Sequence, residues 1–312
     1  MRDRYQYRKR RAACAALLAW ALPLFLGWPA PLPPVRPFRV LTTIAPLYSF
    51  VKNIAGEEVE LSNLLPPNAE PHDYVLSPGD ARRLADADLI IRNGLGLETF
   101  LEGVLSKVDQ EKLLDASAGI SPLPQWAAPG PVSGEAAPGG APPNPHVWLD
   151  PLRAVAEVEN IVEALCRRDP GKAPGYRDRG ARLVQALRGI DERYRGSLDP
   201  LPDKKMVCDH DAFAYLAARY GIRVVAFLDA RGHAGLSPKL LAWTMAAIGR
   251  ERVPILFSEV NQVSSELRSL SRDMGIPIVA LDSMESGALR ADLYERVAER
   301  NRGALARAFG GR

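Results

Sequence analysis

The chain has four histidines, His72, His146, His210 and His233, and three of them sit at the ends of strand-like runs or just before a helix start. His72 follows Leu64-Leu65-Pro66-Pro67 and opens His72-Asp73-Tyr74 ahead of a helix. His146 precedes Trp148 and Asp150, and His210 ends Met206-Val207-Cys208 and opens the helix that follows Asp211. Two carboxylates hold comparable places, Glu259 after Ile255-Leu256-Phe257 and Asp282 after Ile278-Val279-Ala280-Leu281. Three neutral imidazoles and one carboxylate suit Zn2+ at about 2.0–2.2 Å per ligand. Imidazole binds metal as a neutral base, so such a site loses its ion as pH falls through the histidine range. A single histidine at a strand end is ordinarily a hydrogen-bonded surface or core residue; three of four in such positions is the signal. They lie tens of residues apart, with no local H-x-x-x-H or C-x-x-C spacing, so only the fold can bring them together. His233, between glycines in Arg231-Gly232-His233-Ala234-Gly235, reads as a solvated loop residue. Asp150 reads as a helix cap, Asp211 as a cap or as an acceptor behind an imidazole, and Cys208 as a small buried side chain.

The elements that must position these groups alternate. Strand-like runs at 38–44, 59–65, 89–91 and 112–114 are separated by helical patterns at 47–55, 78–87 and 99–108. A second block has strands at 206–208, 224–227, 255–257 and 278–281, with helices at 212–220, 238–248, 263–274 and onward to about residue 308. Such alternation predicts an α/β fold of two lobes, each a mostly parallel β-sheet flanked by helices. Between the blocks, Asp150-Pro151 starts a helix to about Arg168, and Tyr176–Leu198 carries Leu183, Leu187, Ile190 and Tyr194 at helical spacing. That is one long rigid helix of roughly 35 Å joining the lobes. The expected organisation is an N-terminal lobe at 37–172 with a mobile Pro/Gly/Ala-rich loop at 117–145, a linking helix at 173–200, and a C-terminal lobe at 201–312. Ligands of open α/β sheets bind beyond the carboxyl ends of the strands, here in the cleft between lobes.

Residues 1–36 read as a signal peptide and proline-rich spacer. Arg2, Arg4, Arg8, Lys9, Arg10 and Arg11 precede an apolar run from Ala12 to Trp28, followed by Pro29-Ala30-Pro31-Leu32-Pro33-Pro34. The apolar run contains Pro23 and is short for a spanning helix; an uncleaved anchor is the competing reading. Those six basic residues against Asp3 leave +5 on the segment, so the formal total of +3 puts −2 on the remainder. A near-neutral body gives no electrostatic case for nucleic acid. Cys166 and Cys208 remain after processing and read as two buried small side chains.

The segments Pro71-His72-Asp73-Tyr74 with Ser77-Pro78, Asn144-Pro145-His146-Val147-Trp148-Leu149-Asp150-Pro151, His210-Asp211-Ala212-Phe213 with Arg219-Tyr220-Gly221, Phe257-Ser258-Glu259 and Leu281-Asp282 occur in an informative order. In these the chain resembles the zinc- and manganese-binding solute-binding proteins of bacterial ABC metal importers, over roughly residues 38 to 309. The resemblance implies two lobes bridged by a rigid helix, with a metal held by His72 and His146 of the first lobe and His210 and Asp282 of the second. Glu259 would be a nearby carboxylate or alternative ligand. It further implies Zn2+ as the cargo, with Mn2+ as the alternative, and a membrane permease as the partner of an exported monomer. Histidine at position 210 goes with zinc in that family, a carboxylate there with manganese. The chain departs from the pattern in three places: the loop before His146 has no histidines, Asn144 stands where aspartate is common, and Ser283 where proline is often seen. The last two are expected to be harmless.

A rival reading from another class is an exported zinc hydrolase using Glu259 as its base. No H-E-x-x-H helix exists, and a fourth protein ligand would close the site to substrate water. A small organic solute in the same cleft is a third reading, but 7% aromatic content offers no obvious stacking cluster. Capture and release, without catalysis and with limited lobe closure, is the expectation.

Overall fold

The strand ends decide where the histidines go, and both sheets run parallel. The computed structural model describes residues 36–67, 69, 71, 74–126, 141–229, 238–260, 262–285 and 287–311. Residues 1–35, where the signal peptide is expected, His72, His233 and the middle of the 117–145 segment lie outside the described residues. β1 (Phe38–Thr42), β2 (Val59–Asn63), β3 (Leu89–Arg92) and β4 (Leu113–Asp115) form one sheet in the order β2-β1-β3-β4. β5 (Lys205–His210), β6 (Arg223–Asp229), β7 (Leu256–Glu259) and β8 (Ile278–Leu281) form the other in the order β6-β5-β7-β8. All six pairings are parallel. The α/β expectation is borne out, and each sheet reverses its strand order next to its first strand. In the second sheet that reversal lies between β5, which ends at His210, and β7, which ends at Glu259. A crevice forms at such a point because the crossovers on either side leave in opposite directions.

The helices are α1 (Ala45–Ala55), α2 (Pro78–Asp86), α3 (Glu102–Leu105), α4 (Pro151–Arg168), α5 (Ala173–Leu198), α6 (Ala214–Arg219), α7 (Pro238–Glu251), α8 (Ser265–Met274) and α9 (Leu293–Gly310). α4 begins where the sequence places it, because Asp150 accepts from the Leu152 amide at 2.9 Å and Pro151 needs no partner in the first turn. α5 has 26 residues, hence about 39 Å of length. It lies so close along α4 that a Cβ on Gly180 would come within 2.4 Å of Val162 Cγ2. One apolar core is continuous from β1 and α1 through Trp148, Tyr176 and Leu187 to Phe257 and Phe309, so the two halves share an interior. A second cluster, including Val207, Ile248, Leu256 and Leu270, lies in the C-terminal half.

The ends of the 117–145 segment are held in place. Asn144 N donates to Leu123 O and Gln125 N to Pro142 O, each at 2.8 Å. The entering strand of this neck also reaches the second lobe: Leu123 N donates to the Tyr215 hydroxyl at 2.9 Å, and Trp126 packs edge-on against Phe227 at 5.4 Å.

One interior group opposes this core. Glu157 of α4 is fully buried, and neither carboxylate oxygen has a hydrogen-bond partner among the described residues. Burial, reinforced by the Glu98 carboxylate, pushes its pKa from 4.5 to about 8. A folded-state pKa raised this way gives stability that is complete below the unfolded value and is lost as pH rises through about 8. The native protein should therefore lose about 2 kcal/mol relative to Glu157→Gln between pH 6 and pH 8. Thermal unfolding of both proteins across that range checks this, and parallel stability curves would contradict it.

Candidate metal centre

His210 is the last residue of β5, and its backbone runs directly into the 3-10 turn Asp211–Phe213. His146 reaches the same place from the first lobe by a loop that is fixed at several points. Burial raises the pKa of the Glu98 carboxyl, while hydrogen bonds from Thr43 Oγ1 at 2.7 Å and from the amides of Asn93 and Gly94 at 2.7 and 3.0 Å oppose that rise. This organises the turn after β3, where Gly94 has φ +85°, and Asn93 Nδ2 then donates to Pro145 O at 2.9 Å. His146 is 2% exposed.

Asn144 and Trp148 fasten this loop to the other lobe. Asn144 Nδ2 donates to Asp211 O at 2.9 Å, and Asn144 O accepts from the Tyr215 hydroxyl at 2.6 Å. Trp148 Nε1 donates to Ser283 O at 2.8 Å, and Trp148 O accepts from the Tyr294 hydroxyl at 2.7 Å. Four buried hydrogen bonds thus cross between the lobes beside His146. On the linking-helix side, Arg219 pairs with Asp191 at 2.6 Å, and Ser49 Oγ of α1 donates to Ala291 O at 2.7 Å. Such cross-bracing leaves little freedom for a wide hinge opening.

The two imidazoles meet edge-on with centroids 4.8 Å apart. Glu285 faces both: its Oε1 is 3.0 Å from His146 Nε2 and its Oε2 is 3.8 Å from His210 Nδ1. Ligand atoms around a tetrahedral ion with bonds near 2.05 Å lie about 3.3 Å apart, so these separations bracket what a shared ion requires. His146 Nδ1 is 2.8 Å from Asn144 Oδ1, which can only accept, so Nδ1 carries the proton and Nε2 is the nitrogen left for a metal. His146, His210 and Asp211 also bring one ligand atom each within 4.8 Å of one another. Asp211 Oδ1 is 4.0 Å from His210 Nε2, on the other edge of that ring, while its Oδ2 accepts from Trp126 N at 3.3 Å.

Burial lowers the His146 pKa despite Glu285. Burial also pulls His210 down, but Glu259, Glu285 and Asp211 outweigh it and lift that imidazole to about 9. Glu259 faces the same nitrogen of His210 as Glu285 does, with Oε2 3.9 Å from Nδ1 and Oε1 accepting from Ser283 N at 2.9 Å; burial raises its pKa.

Of the residues expected from sequence, His146, His210 and Glu259 are brought together. His72 lies outside the described residues. Asp282 is engaged elsewhere: its Oδ2 accepts from Arg300 at 2.6 Å and its Oδ1 from the Met284 amide at 2.8 Å. The carboxylate that faces the histidines is that of Glu285, three residues further on. Asn144 and Ser283, expected to be harmless departures, both hydrogen-bond groups of this cluster. Cys166 and Cys208 are free thiols, and burial pushes the Cys208 thiol well up.

A family model described as "ZnuA: Zinc-uptake complex component A periplasmic" matches residues 40–308. The chain belongs to this family. Its members are metal-binding solute-binding components of ABC importers, which are transport proteins and not enzymes. The chain is 30% identical to the iron-binding protein YfeA of Yersinia pestis over 242 residues, covering 77% of this chain and 75% of that one. It is 27% identical over 259 residues to the zinc-binding protein AdcA of Streptococcus pyogenes, covering 79% of this chain but 50% of the relative. Among solved structures, the solute-binding protein FpvC of Pseudomonas aeruginosa in complex with Mn2+ superposes with a TM-score of 0.78 at 26% identity, over 88% of this chain and 99% of that one. The proteins to which the chain is similar thus include ones named for zinc and iron, and one solved with manganese. Its description is periplasmic, and no helix among the described residues is long and apolar enough to cross a membrane.

Proposed function

We propose that this member of the ZnuA family captures one Zn2+ ion with His72, His146, His210 and Glu285 and delivers it, as an exported monomer, to the membrane permease of an ABC importer. The observation that carries the reading is the placement of Glu285 at 3.0 and 3.8 Å from a nitrogen of each histidine, one from each lobe. Three imidazoles and one carboxylate form a nitrogen-rich set, which suits zinc better than manganese. His72 enters from the motif Pro71-His72-Asp73-Tyr74, and Asp282 leaves the set because Arg300 and the Met284 amide occupy it. Because both lobes supply ligands and are already cross-bonded, binding draws side chains onto the ion with small displacements. The ion can bias the conformation only through ligands it holds more tightly in one state than in another. Glu259 reads as an acceptor beside His210 Nδ1, in place of a hydrolytic base.

A manganese or iron cargo is the second reading. It is favoured by the second carboxylate, Glu259, 3.9 Å from His210, because oxygen ligands suit the harder ions. Metal analysis of protein purified without added metal, followed by competition among Zn2+, Mn2+ and Fe2+, separates the two. The expected result is one zinc per chain, lost in His146→Ala. Retention of tight zinc binding in that variant would reject the site, and preference for manganese over zinc would favour the second reading.

A further inference from the structure

The second lobe grips the loop that carries His146. Asn144 is fully buried, and its main-chain amide donates to Leu123 O at 2.8 Å. Its main-chain oxygen accepts from the Tyr215 hydroxyl at 2.6 Å, and its side-chain nitrogen donates to Asp211 O at 2.9 Å, both groups of the second lobe. Its side-chain oxygen accepts from the His146 amide at 3.0 Å and lies 2.8 Å from His146 Nδ1. This side-chain amide has one orientation, because one end meets a main-chain N–H, which only donates, and the other a main-chain carbonyl, which only accepts. Tyr215 is held in turn: its hydroxyl also accepts from Leu123 N at 2.9 Å, and the Arg153 guanidinium lies over its ring at 4.7 Å. The second lobe thus takes Asn144 at two points, and Asn144 takes His146 at two.

We propose that Asn144 and Tyr215 are positioning residues through which the second lobe orients His146, a ligand that the first lobe supplies. An imidazole that gives Nε2 to an ion keeps its proton on Nδ1, and at a position 2% exposed that N–H needs an acceptor within the protein. Asn144 Oδ1 is that acceptor. The bond to Asp211 O orients its amide plane and the Tyr215 hydroxyl fixes its main chain, so the seam that joins the lobes also aims His146 Nε2. The nitrogen end is what an aspartate would lack: a carboxylate could accept from His146 but would meet Asp211 O acceptor to acceptor. Neither residue is itself a ligand, and both act on the ion through His146.

This inference rests on the metal-binding reading above, and the test separates the two. The imidazole N–H resonances of the whole chain are recorded with and without zinc, and His146→Ala assigns the Nδ1 proton of His146. Zinc affinity, melting temperature and the same resonance are then measured for Asn144→Leu, Asn144→Asp and Tyr215→Phe. Asn144→Leu should lose the slowly exchanging Nδ1 proton and about 10- to 100-fold in zinc affinity, as when the outer partner of a ligand is removed. Asn144→Asp keeps an acceptor and should keep the resonance. Tyr215→Phe leaves every group that touches His146 in place, yet should weaken zinc binding about two- to tenfold, the worth of the one bond it gives Asn144, and hasten exchange of the Nδ1 proton. It removes a hydroxyl alone, so it carries the test even if the leucine variant does not fold. A merely structural role would lower melting temperatures and leave resonance and affinity as they are. Native exchange and affinity in Tyr215→Phe, a native resonance in Asn144→Leu, or its loss in folded Asn144→Asp would overturn the proposal. Failure of the unaltered chain to bind zinc would instead overturn the metal-binding reading, and the resonance of the metal-free chain would still report on Asn144.

Discussion

Glu285→Gln is expected to weaken zinc binding by about 100- to 1,000-fold, whereas Asp282→Asn should change it no more than about threefold. Four-ligand zinc sites bind with roughly 10–16 kcal/mol, so one ligand is worth about 3–4 kcal/mol, or two to three decades. The amide of glutamine keeps the size of Glu285 but offers the ion a neutral and weaker oxygen. Asp282 is instead committed to Arg300 and to the Met284 amide. Its partner Arg300 has a side chain 65% exposed, so breaking that pair costs little. Competition titration against a chelator of known affinity measures both variants. If Asp282→Asn carries the large loss and Glu285→Gln the small one, the carboxylate has been assigned to the wrong residue.

Zinc should displace protons when it binds, and its affinity should fall at least about tenfold for each pH unit lowered below 9. The His210 imidazole of the metal-free chain titrates near 9, held up by Glu259, Glu285 and Asp211 against the opposing effect of burial. It is therefore protonated at neutral pH, and the ion must remove that proton. The sign follows from the raised pKa. Protonated His210 stabilises the metal-free fold fully below about 6.5, and that contribution disappears as pH rises through about 9. The metal-bound fold needs the neutral ring. The rise in melting temperature caused by zinc should accordingly shrink as pH falls from 9 to 6. Calorimetry in buffers of different ionisation enthalpy should give a slope of at least one proton released per zinc at pH 7. A slope of zero would contradict the protonated state of the centre.

The fold was legible because parallel strands buried on both faces read as short apolar runs, and because Asp150-Pro151 and Ser77-Pro78 announce helix starts that the structure realises with their caps. His210 was legible for the same reason: it is the last residue of β5 beside the reversal of strand order. The carboxylate was not. Asp282 directly follows β8, but its own side chain closes a turn onto the Met284 amide, and the left-handed Met284 redirects the chain so that Glu285 faces the histidines. Strand-end position does not encode that turn; the only signal was a second acidic residue in Asp282-Ser283-Met284-Glu285. The bonds of Asn144 are not legible in sequence because they reach across the cleft. Its amide oxygen fixes the His146 tautomer while its nitrogen reaches Asp211 O in the other lobe, and an aspartate could accept but not donate there. The neck of the 117–145 segment was hidden likewise, since composition reports the absence of a periodic face but not the Tyr215 hydroxyl that holds Leu123 N.

The shared interior and the hydrogen bonds from Asn144, Trp148, Tyr215 and Tyr294 give the same mechanical conclusion as the long helix α5. A rigid swing of one lobe would break buried hydrogen bonds together with an apolar core, so under the proposed function release of the ion is expected by local loosening of the ligands. Each buried bond lost without a replacement costs about 1–3 kcal/mol, so four broken together are prohibitive at equilibrium.

A crystal of the zinc-loaded chain, with anomalous diffraction collected on both sides of the zinc edge, tests the central claim most directly. A single peak should lie about 2.0–2.2 Å from His146 Nε2, from a His210 ring nitrogen and from one Glu285 oxygen. A peak coordinated by Asp282 without Glu285, or one away from the seam where His146 and His210 meet, would contradict it.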